Sequence, residues 1–284
     1  MPNAFVTGAV MGQGLLLAQK LAKRGWRTFA GALPGQERGA LAASEGVIVI
    51  EQDVASTDSV RDSARQVAAQ VGKEGLHLLI NNAGIPNVAQ GFVEGMVLEE
   101  VDRMFQVNTF GQLRNAHFFL PLLRQADNPK ARIINFASGA IVVHPVGAGA
   151  YNMSKHAVHG LTMQLRAELA PFDIQATTVL PGGVKTNMTA NARQTVHAVF
   201  DRMPPAVAAV YKPFFGETVL EKLPTMLETM GNDPDYTTDK VLELLAIEKW
   251  DTSYPVGKDI EPIGPVRDSM SETAFEAMLR QLGF

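Results

Sequence analysis

The chain has 284 residues, of which 46% are hydrophobic and 19% are charged, and it contains no cysteine. This length can bury a sizeable core, and a mean hydropathy of +0.03 does not indicate disorder. The formal net charge of −4 does not indicate a nucleic-acid or anionic-membrane surface. The absence of cysteine excludes disulfide frameworks, thiolate metal sites and cysteine nucleophiles.

The N-terminal segment gives an expectation about location. Met1-Pro2-Asn3 runs directly into an apolar segment at residues 4–8, with no basic region before it. A secretory signal has a basic region followed by an apolar one, and a membrane span needs about 18 or more apolar residues in succession. The sequence has no apolar run of that length. We therefore expect a cytoplasmic protein without a membrane anchor.

Short apolar segments alternate with helical patterns through the first two thirds of the chain. The predicted strands are Ala4–Thr7, Thr28–Gly31, Val47–Gln52, Leu76–Asn81, Ile133–Ala137 and Gln175–Leu180. They are apolar on both faces, as in a parallel sheet covered by helices on each side. Helices are predicted over Gln13–Arg24, Ser56–Val71, Glu99–Gln125 and Asn152–Leu169. This alternation predicts βαβ units and a doubly wound parallel sheet of the Rossmann type.

The pattern changes after residue 187. Prolines interrupt the stretch 187–235, and large apolar residues concentrate there: Val196, Val199, Phe200, Met203, Val207, Tyr211, Phe214, Phe215, Leu220, Leu223, Met226 and Leu227. A helix is then predicted over Thr237–Glu248, and another behind a capping box, Ser269-x-x-Glu272. Nothing resembles a flexible linker. We expect one domain, residues 1–284, that carries a helical insertion near its C-terminus at about residues 187–235.

Three glycines lie between the first predicted strand and the first predicted helix. Gly8, Gly12 and Gly14 follow the spacing Gly-x-x-x-Gly-x-Gly, which differs from the standard dinucleotide fingerprint. Glycines permit a tight turn and a close approach to a pyrophosphate, and the helix N-terminus supplies N–H groups and a partial positive charge. An ordinary glycine turn would have the same composition, but the position of these residues favours phosphate binding.

The end of the second strand commonly distinguishes NAD from NADP. An acidic residue there binds the ribose hydroxyl of NAD, and an arginine binds the 2′-phosphate of NADP. The segment Phe29-Ala30-Gly31-Ala32-Leu33-Pro34 offers neither. Arg38 follows closely, but a solvated loop arginine is the simpler interpretation. These residues leave the choice of cofactor open.

Tyr151 and Lys155 are four residues apart at the start of a predicted helix and so share a face. A phenol, with a reference pKa near 10, is a poor base at neutral pH. A neighbouring ammonium and a positive nicotinamide would both favour the phenolate. The spacing alone arises by chance in many helices, but Ser138 strengthens the interpretation. Ser138 follows the strand Ile133–Ala137, at the edge where doubly wound folds bind ligands, and its hydroxyl can hold a substrate oxygen.

These motifs together resemble the short-chain dehydrogenase/reductase family, in its single-domain branch. In chain order they are Thr7-Gly8-x-x-x-Gly12-x-Gly14, Asp53-Val54, Asn81-Asn82-Ala83-Gly84, Asn108, Ser138, Tyr151-x-x-x-Lys155 and Pro181-Gly182-x-Val184-x-Thr186. The resemblance covers residues 4–188. It implies an NAD(P)-dependent oxidoreductase that interconverts a secondary alcohol and a ketone by hydride transfer.

The resemblance also implies roles for the matching residues. Tyr151 would be the general acid/base, Lys155 would lower its pKa and bond the nicotinamide ribose, and Ser138 would orient the substrate oxygen. Asn108 would anchor a water in a proton relay. Cofactor contacts are implied for Gly8, Met11, Gly12, Gly14, Ala32, Asp53, Val54, Asn82, Ala83, Gly84, Tyr151, Lys155, Pro181, Gly182, Val184 and Thr186. Taken singly, Asp53 could be a helix cap, Asn82 a turn residue and Asn108 a polar residue in a core helix.

No grouping of residues has the spacing of a catalytic metal site.

Two further stretches resemble a subgroup of that family. Residues 26–33 and the motif Tyr254-Pro255-Val256-Gly257-Lys258-Asp259 are similar to retinol and 17β-hydroxysteroid dehydrogenases. Members of that subgroup often use NAD, which favours NAD(H) here, and many of them are membrane-anchored. The glycine loop departs from the family pattern, because Val10 and Met11 stand where small polar residues are usual.

The insertion follows Pro181-Gly182, where this family places its substrate lid. Its apolar side chains favour a lipophilic alcohol, an aromatic ketone, a steroid or a retinoid as substrate. The same residues could instead pack the lid onto the body or form a subunit contact. The apolar stripes of Glu99–Gln125 and Asn152–Leu169 resemble the helices through which this family dimerises, so we expect a homodimer or homotetramer.

Two other functions compete with this interpretation. A 3-oxoacyl-thioester reductase would carry a basic patch for an acidic carrier protein, and none is evident in the sequence. A non-catalytic NAD(P)-binding regulator would be expected to lose Tyr151, Lys155 or Ser138, and this chain has all three.

Overall fold

The computed structural model of the chain describes residues 1–86, 91–127, 130–185, 198–222, 225, 229 and 231–282. Its strands are β1 (Asn3–Val6), β2 (Arg27–Ala32), β3 (Val47–Glu51), β4 (Leu78–Asn81), β5 (Arg132–Phe136), β6 (Gln175–Pro181) and β7 (Ser253–Val256). They form one seven-stranded sheet in the order β3-β2-β1-β4-β5-β6-β7. Every neighbouring pair is parallel. The doubly wound parallel sheet predicted from the sequence is therefore confirmed.

Helices connect the strands and cover both faces of the sheet. They are α1 (Gly12–Lys23), α2 (Gly39–Ala42), α3 (Thr57–Val71), α4 (Leu98–Asn108), α5 (Phe110–Leu123), α6 (Ala140–Val143), α7 (Gly149–Leu169), α8 (Pro205–Glu217), α9 (Pro234–Glu243), α10 (Ile263–Asp268) and α11 (Glu272–Leu282). Short 3₁₀ turns lie at Gly72–Glu74, Val93–Gly95, Ala170–Phe172 and Leu244–Ala246, and a π-helical turn lies at Thr218–Lys222.

The seventh strand was absent from the sequence prediction. β7 contains Pro255, which has no N–H to donate to a ladder and usually argues against a strand. The fold accommodates it because β7 lies at the edge of the sheet and pairs with β6 alone. The strand forms because of its edge position in the sheet, which the local sequence does not reveal.

Two predicted helix boundaries were wrong. The predicted helix Glu99–Gln125 is divided into α4 and α5 at Thr109, whose hydroxyl donates to the carbonyl of Ser154 on α7 (2.9 Å). The predicted capping box at Ser269 does not form, because Ser269 ends α10 and its hydroxyl donates to the carbonyl of Val266. Ser271 lies before α11 instead, and its hydroxyl accepts from the backbone of Ala274.

Both faces of the sheet are packed with apolar side chains. Alternate residues of β1 point to opposite faces, so Ala4 and Val6 belong to one cluster and Phe5 belongs to the other. On the second face the rings of Phe5 and Phe119 lie 4.6 Å apart between centroids. This two-sided burial is the reason that the strands are apolar throughout.

A buried polar ladder joins the centre of the sheet to α7. The Asn81 side chain donates to Asn135 Oδ1 (2.8 Å), and Asn135 Nδ2 donates to Thr162 Oγ1 (2.9 Å). Thr162 in turn donates to the carbonyl of Val158 (3.0 Å). Asn81, Asn135 and Thr162 are fully buried. The ladder therefore ties β4 and β5 to the helix that carries Tyr151.

Replacing Thr162 with valine tests this ladder. The change keeps the shape of the side chain but leaves Asn135 Nδ2 without its acceptor in a dry environment. We expect the free energy of unfolding, measured by urea titration, to fall by about 1–3 kcal/mol. Thr162→Ser is the matched control, since it keeps the hydroxyl and loses one methyl group. A valine variant as stable as the serine variant would contradict this role of the ladder.

Candidate active site

The candidate site lies at the carboxyl ends of the central strands. Gly8 follows β1, Asn82 follows β4, Ser138 follows β5, and Gly182 follows β6. The chain leaves β1 toward β2 on one side, whereas β4 lies on the other side of β1. Such a topological switch point opens a crevice in doubly wound sheets, where ligands bind.

The glycine loop turns sharply against its neighbours. Gly8 and Gly12 have φ angles of +63° and +58°, which favour glycine. A Cβ atom on Gly14 would lie 2.3 Å from the carbonyl oxygen of Gly8, so α1 can pack this closely only without a side chain there. Met11 precedes the helix in an extended conformation, and its side chain forms no cap. The helix N-terminus and its loop therefore fit the pyrophosphate of a dinucleotide.

Thr7 organises the edge of the sheet between β1 and β4. Its hydroxyl accepts from the backbone N–H groups of Asn82 (3.0 Å) and Ala83 (2.8 Å), and Asn82 Nδ2 donates to the carbonyl of Thr7 (2.9 Å). These bonds hold the Asn82–Gly84 segment beside the glycine loop. The sequence motif contains Thr7 without indicating a role for it, and its place directly before Gly8 is the signal that the sequence offers.

β2, whose end is expected to border the adenosine, ends in uncharged residues. Ala32 is buried at the end of β2, and Leu33 after it is half exposed. Asp53 follows β3 and bonds within its own turn, accepting from the backbone of Ala55 (2.9 Å), and Val54 beside it is largely buried. Arg38 pairs with Glu51 at the end of β3 (3.1 Å).

The structure brings Ser138, Tyr151 and Lys155 together. Tyr151 and Lys155 lie in the first turns of α7, with Lys155 Nζ 5.6 Å from the centroid of the Tyr151 ring. Ser138 lies two residues beyond β5, and its hydroxyl accepts from the backbone of Ala140 (3.2 Å). This hydroxyl lies close enough to that of Tyr151 to affect the pKa of the phenol. Lys155 Nζ donates to the carbonyl of Phe136, the last residue of β5 (3.0 Å). One strand end thus positions all three groups.

Burial dominates the electrostatics of this group. Loss of hydration lowers the pKa of Lys155 to about 8, because it disfavours the ammonium. Burial also raises the pKa of Tyr151 above its ordinary value, and the neighbouring Ser138 hydroxyl offsets part of that increase. In the protein alone, Tyr151 is therefore held as a neutral phenol, and a lowering of its pKa by Lys155 stays a prediction.

Asn108 links the segment after β4 to α7. Its Oδ1 accepts from the backbone of Ile85 (2.8 Å), and its Nδ2 donates to the carbonyl of Ile85 (3.1 Å) and to Ser154 Oγ (3.3 Å). Ser154 donates to the carbonyl of Tyr151 (2.7 Å). A Cβ atom on Gly84 would lie 3.5 Å from Lys155 Nζ, so this backbone closely approaches the site. Ser154 had no predicted role, although it directly precedes Lys155.

The segment after β6 borders the same crevice. The carbonyl of Pro181 accepts from the backbone of Gly139 (2.7 Å), beside Ser138, and Gly182 N donates to the carbonyl of Val256 in β7 (3.0 Å). Val184 is largely buried. Thr186, a predicted cofactor contact, lies outside the described residues.

Aromatic rings from the insertion pack against the body of the protein. The ring centroid of Phe92 lies 4.4 Å from that of Tyr211, 5.1 Å from that of Phe215 and 5.8 Å from that of Phe200. We call these four residues the aromatic cluster. Phe214, which also belongs to the predicted apolar set, is 78% exposed. Other members of that set lie outside the described residues: Val196, Leu223, Met226 and Leu227.

Two observations concern other predictions. Within the residues that the structure describes, no helix is long and apolar enough to cross a bilayer. Large apolar side chains on α5 and α7 are partly exposed, including Phe110, Leu113 and Met153. Self-association through these helices stays a prediction, which sedimentation velocity would test.

The buried ammonium predicts a pH dependence of stability. The pKa of Lys155 falls from 10.5 to about 8 on folding, so the unfolded chain binds more protons between these pH values. The free energy of unfolding should therefore rise with pH in this window. Relative to Lys155→Met, we expect the wild type to gain up to about 2 kcal/mol between about pH 8 and about pH 9.5 in urea titrations. A constant difference between the two proteins would show that Lys155 is not desolvated.

Comparison with known proteins agrees with this geometry. A family model described as short chain dehydrogenase matches residues 2–197. Retinol dehydrogenase 7 of Rattus norvegicus is 30% identical over 259 residues, which cover 90% of this chain and 80% of that protein. Estradiol 17-beta-dehydrogenase 2 of Rattus norvegicus is 30% identical over 242 residues, which cover 82% of this chain and 61% of that protein.

A solved structure supports the same assignment. The short chain dehydrogenase from Burkholderia cenocepacia, in complex with NADP, has a TM-score of 0.72 and 26% identity. The match covers 98% of this chain and 97% of that one. The glycine loop, the Ser138–Tyr151–Lys155 group and these similarities lead to one conclusion: the chain belongs to the short-chain dehydrogenase/reductase family of oxidoreductases.

Proposed function

We propose that the protein is an NAD(P)-dependent alcohol dehydrogenase and ketone reductase in which Tyr151 is the general acid/base. The observation that carries the proposal is the meeting of the Ser138 and Tyr151 hydroxyls beside a buried Lys155. This group lies at the same edge of the sheet as the glycine loop. A proton donor, an oxygen-binding hydroxyl and a dinucleotide cradle are the three parts that such a reaction requires.

The residues present fit a nicotinamide dinucleotide. The glycine loop and the α1 N-terminus would hold its pyrophosphate, Ala32, Asp53 and Val54 would border its adenosine, and two further segments, Asn82–Gly84 and Pro181–Val184, would border the remainder. When bound, the cofactor supplies or accepts the hydride. Every proton transfer remains with the side chains of this chain.

In the reducing direction, Ser138 would hold the carbonyl oxygen, and Tyr151 would donate its hydroxyl proton to that oxygen as the alcohol forms. The raised pKa of Tyr151 keeps the proton on the phenol at neutral pH and so suits this step. In the oxidising direction Tyr151 would have to accept the alcohol proton as a phenolate. The Lys155 ammonium and the positive charge of an oxidised nicotinamide would both stabilise that phenolate.

In this scheme Asn108 and Ser154 would position Tyr151 and would not themselves transfer protons. Asn108 fixes the segment after Gly84 to α7, and Ser154 joins Asn108 to the carbonyl of Tyr151. The main-chain position of Tyr151 is therefore set by bonds separate from the hydroxyl that reacts. In the proton relay implied by the family resemblance, Asn108 would anchor the water.

Replacing Tyr151 with phenylalanine is the direct test. The change removes the hydroxyl and keeps the ring, so cofactor affinity should stay within about twofold while turnover falls about 1,000-fold. Turnover is measured from the absorbance of the reduced nicotinamide, and affinity from its fluorescence.

Tyr254→Phe serves as the matched control. The Tyr254 hydroxyl accepts from the backbone of Asp251, near β7, and its loss should leave turnover within about twofold. If the Tyr151 variant retained wild-type turnover, the proposed acid/base would be wrong. Tight cofactor binding without turnover on any substrate would instead favour the non-catalytic regulator.

The substrate proposed is a lipophilic secondary alcohol or ketone. The aromatic cluster adjoins the loop before Tyr151, because Val146 packs against it and Gly91 N, one residue before Phe92, donates to the carbonyl of Gly147 (2.9 Å). The names of the relatives, retinol dehydrogenase and estradiol 17-beta-dehydrogenase, support an apolar substrate class. The cofactor proposed is NAD(H), since β2 ends in neutral residues and Arg38 is already paired with Glu51.

A panel of carbonyl compounds tests both choices. It combines small, aromatic, steroid, retinoid and 3-oxoacyl-thioester substrates with NADH or NADPH. We expect kcat/KM to be at least about tenfold higher for the bulky apolar ketones than for small ones, with NADH preferred. Preference for the thioester would contradict the proposed substrate class. Preference for NADPH, together with weaker NADPH binding in Arg38→Ala, would contradict the choice of NAD(H).

A further inference from the structure

The chain leaves β6 through Gly182 and Gly183, and Asn232, about 50 residues further along the sequence, lies against this segment. We propose that Asp259 and Asn232, which we call the Asp259–Asn232 pair, are positioning residues that fix the backbone of residues 182–185. This inference rests on the proposed function, in which Pro181–Val184 borders the part of the cofactor beyond its pyrophosphate and adenosine.

Asp259 occupies the space beside Gly182 where a side chain would otherwise lie. Its Oδ2 accepts from the backbone N–H of Gly183 (2.7 Å) and its Oδ1 accepts from Asn232 Nδ2 (2.6 Å). A Cβ atom on Gly182 would lie 2.1 Å from Oδ1, and one on Gly257 would lie 2.6 Å from the same atom. Both glycines are thus required for the carboxylate to reach Gly183.

Asn232 joins three segments through its polar groups. Its Nδ2 and its backbone N both donate to the carbonyl of Gly183 (2.8 and 2.7 Å), and its carbonyl accepts from Lys185 N (2.9 Å). Its Oδ1 accepts from Lys258 N (2.8 Å). The side chain is almost fully buried. Asn232 therefore joins the segment after β6 to the loop that follows β7.

Glycine pairs need such partners because their own torsional preferences are weak. Gly182 and Gly183 follow the last residue of β6, and the carbonyl of Pro181 is held by Gly139 N beside Ser138. From that point onward, the backbone direction depends on bonds made by other segments. A charged acceptor gives stronger hydrogen bonds than a neutral one, so the bond from Gly183 N to Asp259 is a strong restraint on this segment.

One motif of the sequence takes no part in the catalytic scheme but contacts this segment. Tyr254-Pro255-Val256-Gly257-Lys258-Asp259 places Val256 on the backbone of Gly182 and Asp259 on that of Gly183. The two contacts lie three residues apart in the motif and on adjacent residues of the segment after β6. The Val256–Asp259 part of the motif therefore supports the backbone of residues 182–185.

Two variants and one matched control test the pair. Asp259→Ala removes both acceptors, and Asn232→Ala removes the contacts of one side chain. Glu261→Gln is the control, because the Glu261 carboxylate lies in the same loop but accepts from Gly257 N (2.9 Å) and from the Tyr236 hydroxyl (3.2 Å).

The first measurement is hydrogen–deuterium exchange in the protein without cofactor. Exchange of the Gly183 amide should accelerate at least about tenfold in Asp259→Ala, since its acceptor is removed. Glu261→Gln should leave the exchange of residues 182–185 unchanged. Unchanged exchange in Asp259→Ala would overturn the proposal. If that variant does not fold, faster exchange of residues 182–185 in Asn232→Ala supports the proposal, and unchanged exchange there overturns it.

The second measurement separates positioning from general stability. Asp259→Ala and Asn232→Ala should weaken NADH binding by about tenfold and lower kcat/KM for the ketone substrate at least as much, while Glu261→Gln stays within about twofold of wild type. If all three variants, Glu261→Gln included, lost NADH affinity and kcat/KM in step with the fall in their melting temperatures, the role of the pair would be merely structural. If the wild type neither binds NADH nor turns over any carbonyl, the proposed function fails, and the exchange result still decides whether the pair fixes residues 182–185.

Discussion

The parallel direction of all seven strands is the constraint on which the site depends. Because every strand runs the same way, Gly8, Asn82, Ser138 and Gly182 all leave the sheet at one edge, although they are far apart in the chain. A parallel sheet requires helical crossovers, which bury both of its faces. The candidate chemistry is therefore concentrated at the one edge where these residues leave the apolar body of the sheet and its helices.

Hydrogen bonds connect the polar groups at this edge, so the position of one group depends on the others. Lys155 reaches the carbonyl at the end of β5, Ser138 follows the same strand, and Asn135 within it holds Thr162 further along α7. α7 is thus attached to β5 at two levels, which fixes the axial position of Tyr151. Burial of Lys155 costs hydration, and the lowered pKa is the measure of that cost.

Close packing of protein atoms against glycine backbone is a second recurring feature of the site. Gly14 lets α1 pack onto the loop of Gly8, and Gly182 lets the Asp259 carboxylate lie against the chain. In both places the missing side chain makes room for a protein atom rather than for a ligand. The glycines that the sequence motif assigns to cofactor binding therefore also shape the walls of the cleft, and a substitution there would act through the fold as well as through binding.

Much of this protein follows from the sequence by itself. Apolar strands alternating with helical patterns predicted six of the seven strands and the doubly wound class, and the four-residue spacing of Tyr151 and Lys155 predicted their shared face. These features follow from local periodicity, which the sequence displays directly. The tertiary structure alone decided the meeting of Ser138 with Tyr151, the ties of Asn108 to Ile85 and Ser154, the edge strand around Pro255, and the Asp259–Asn232 pair. Each of these depends on contacts between segments distant in the chain, whose relative positions are set by the packing of the whole sheet.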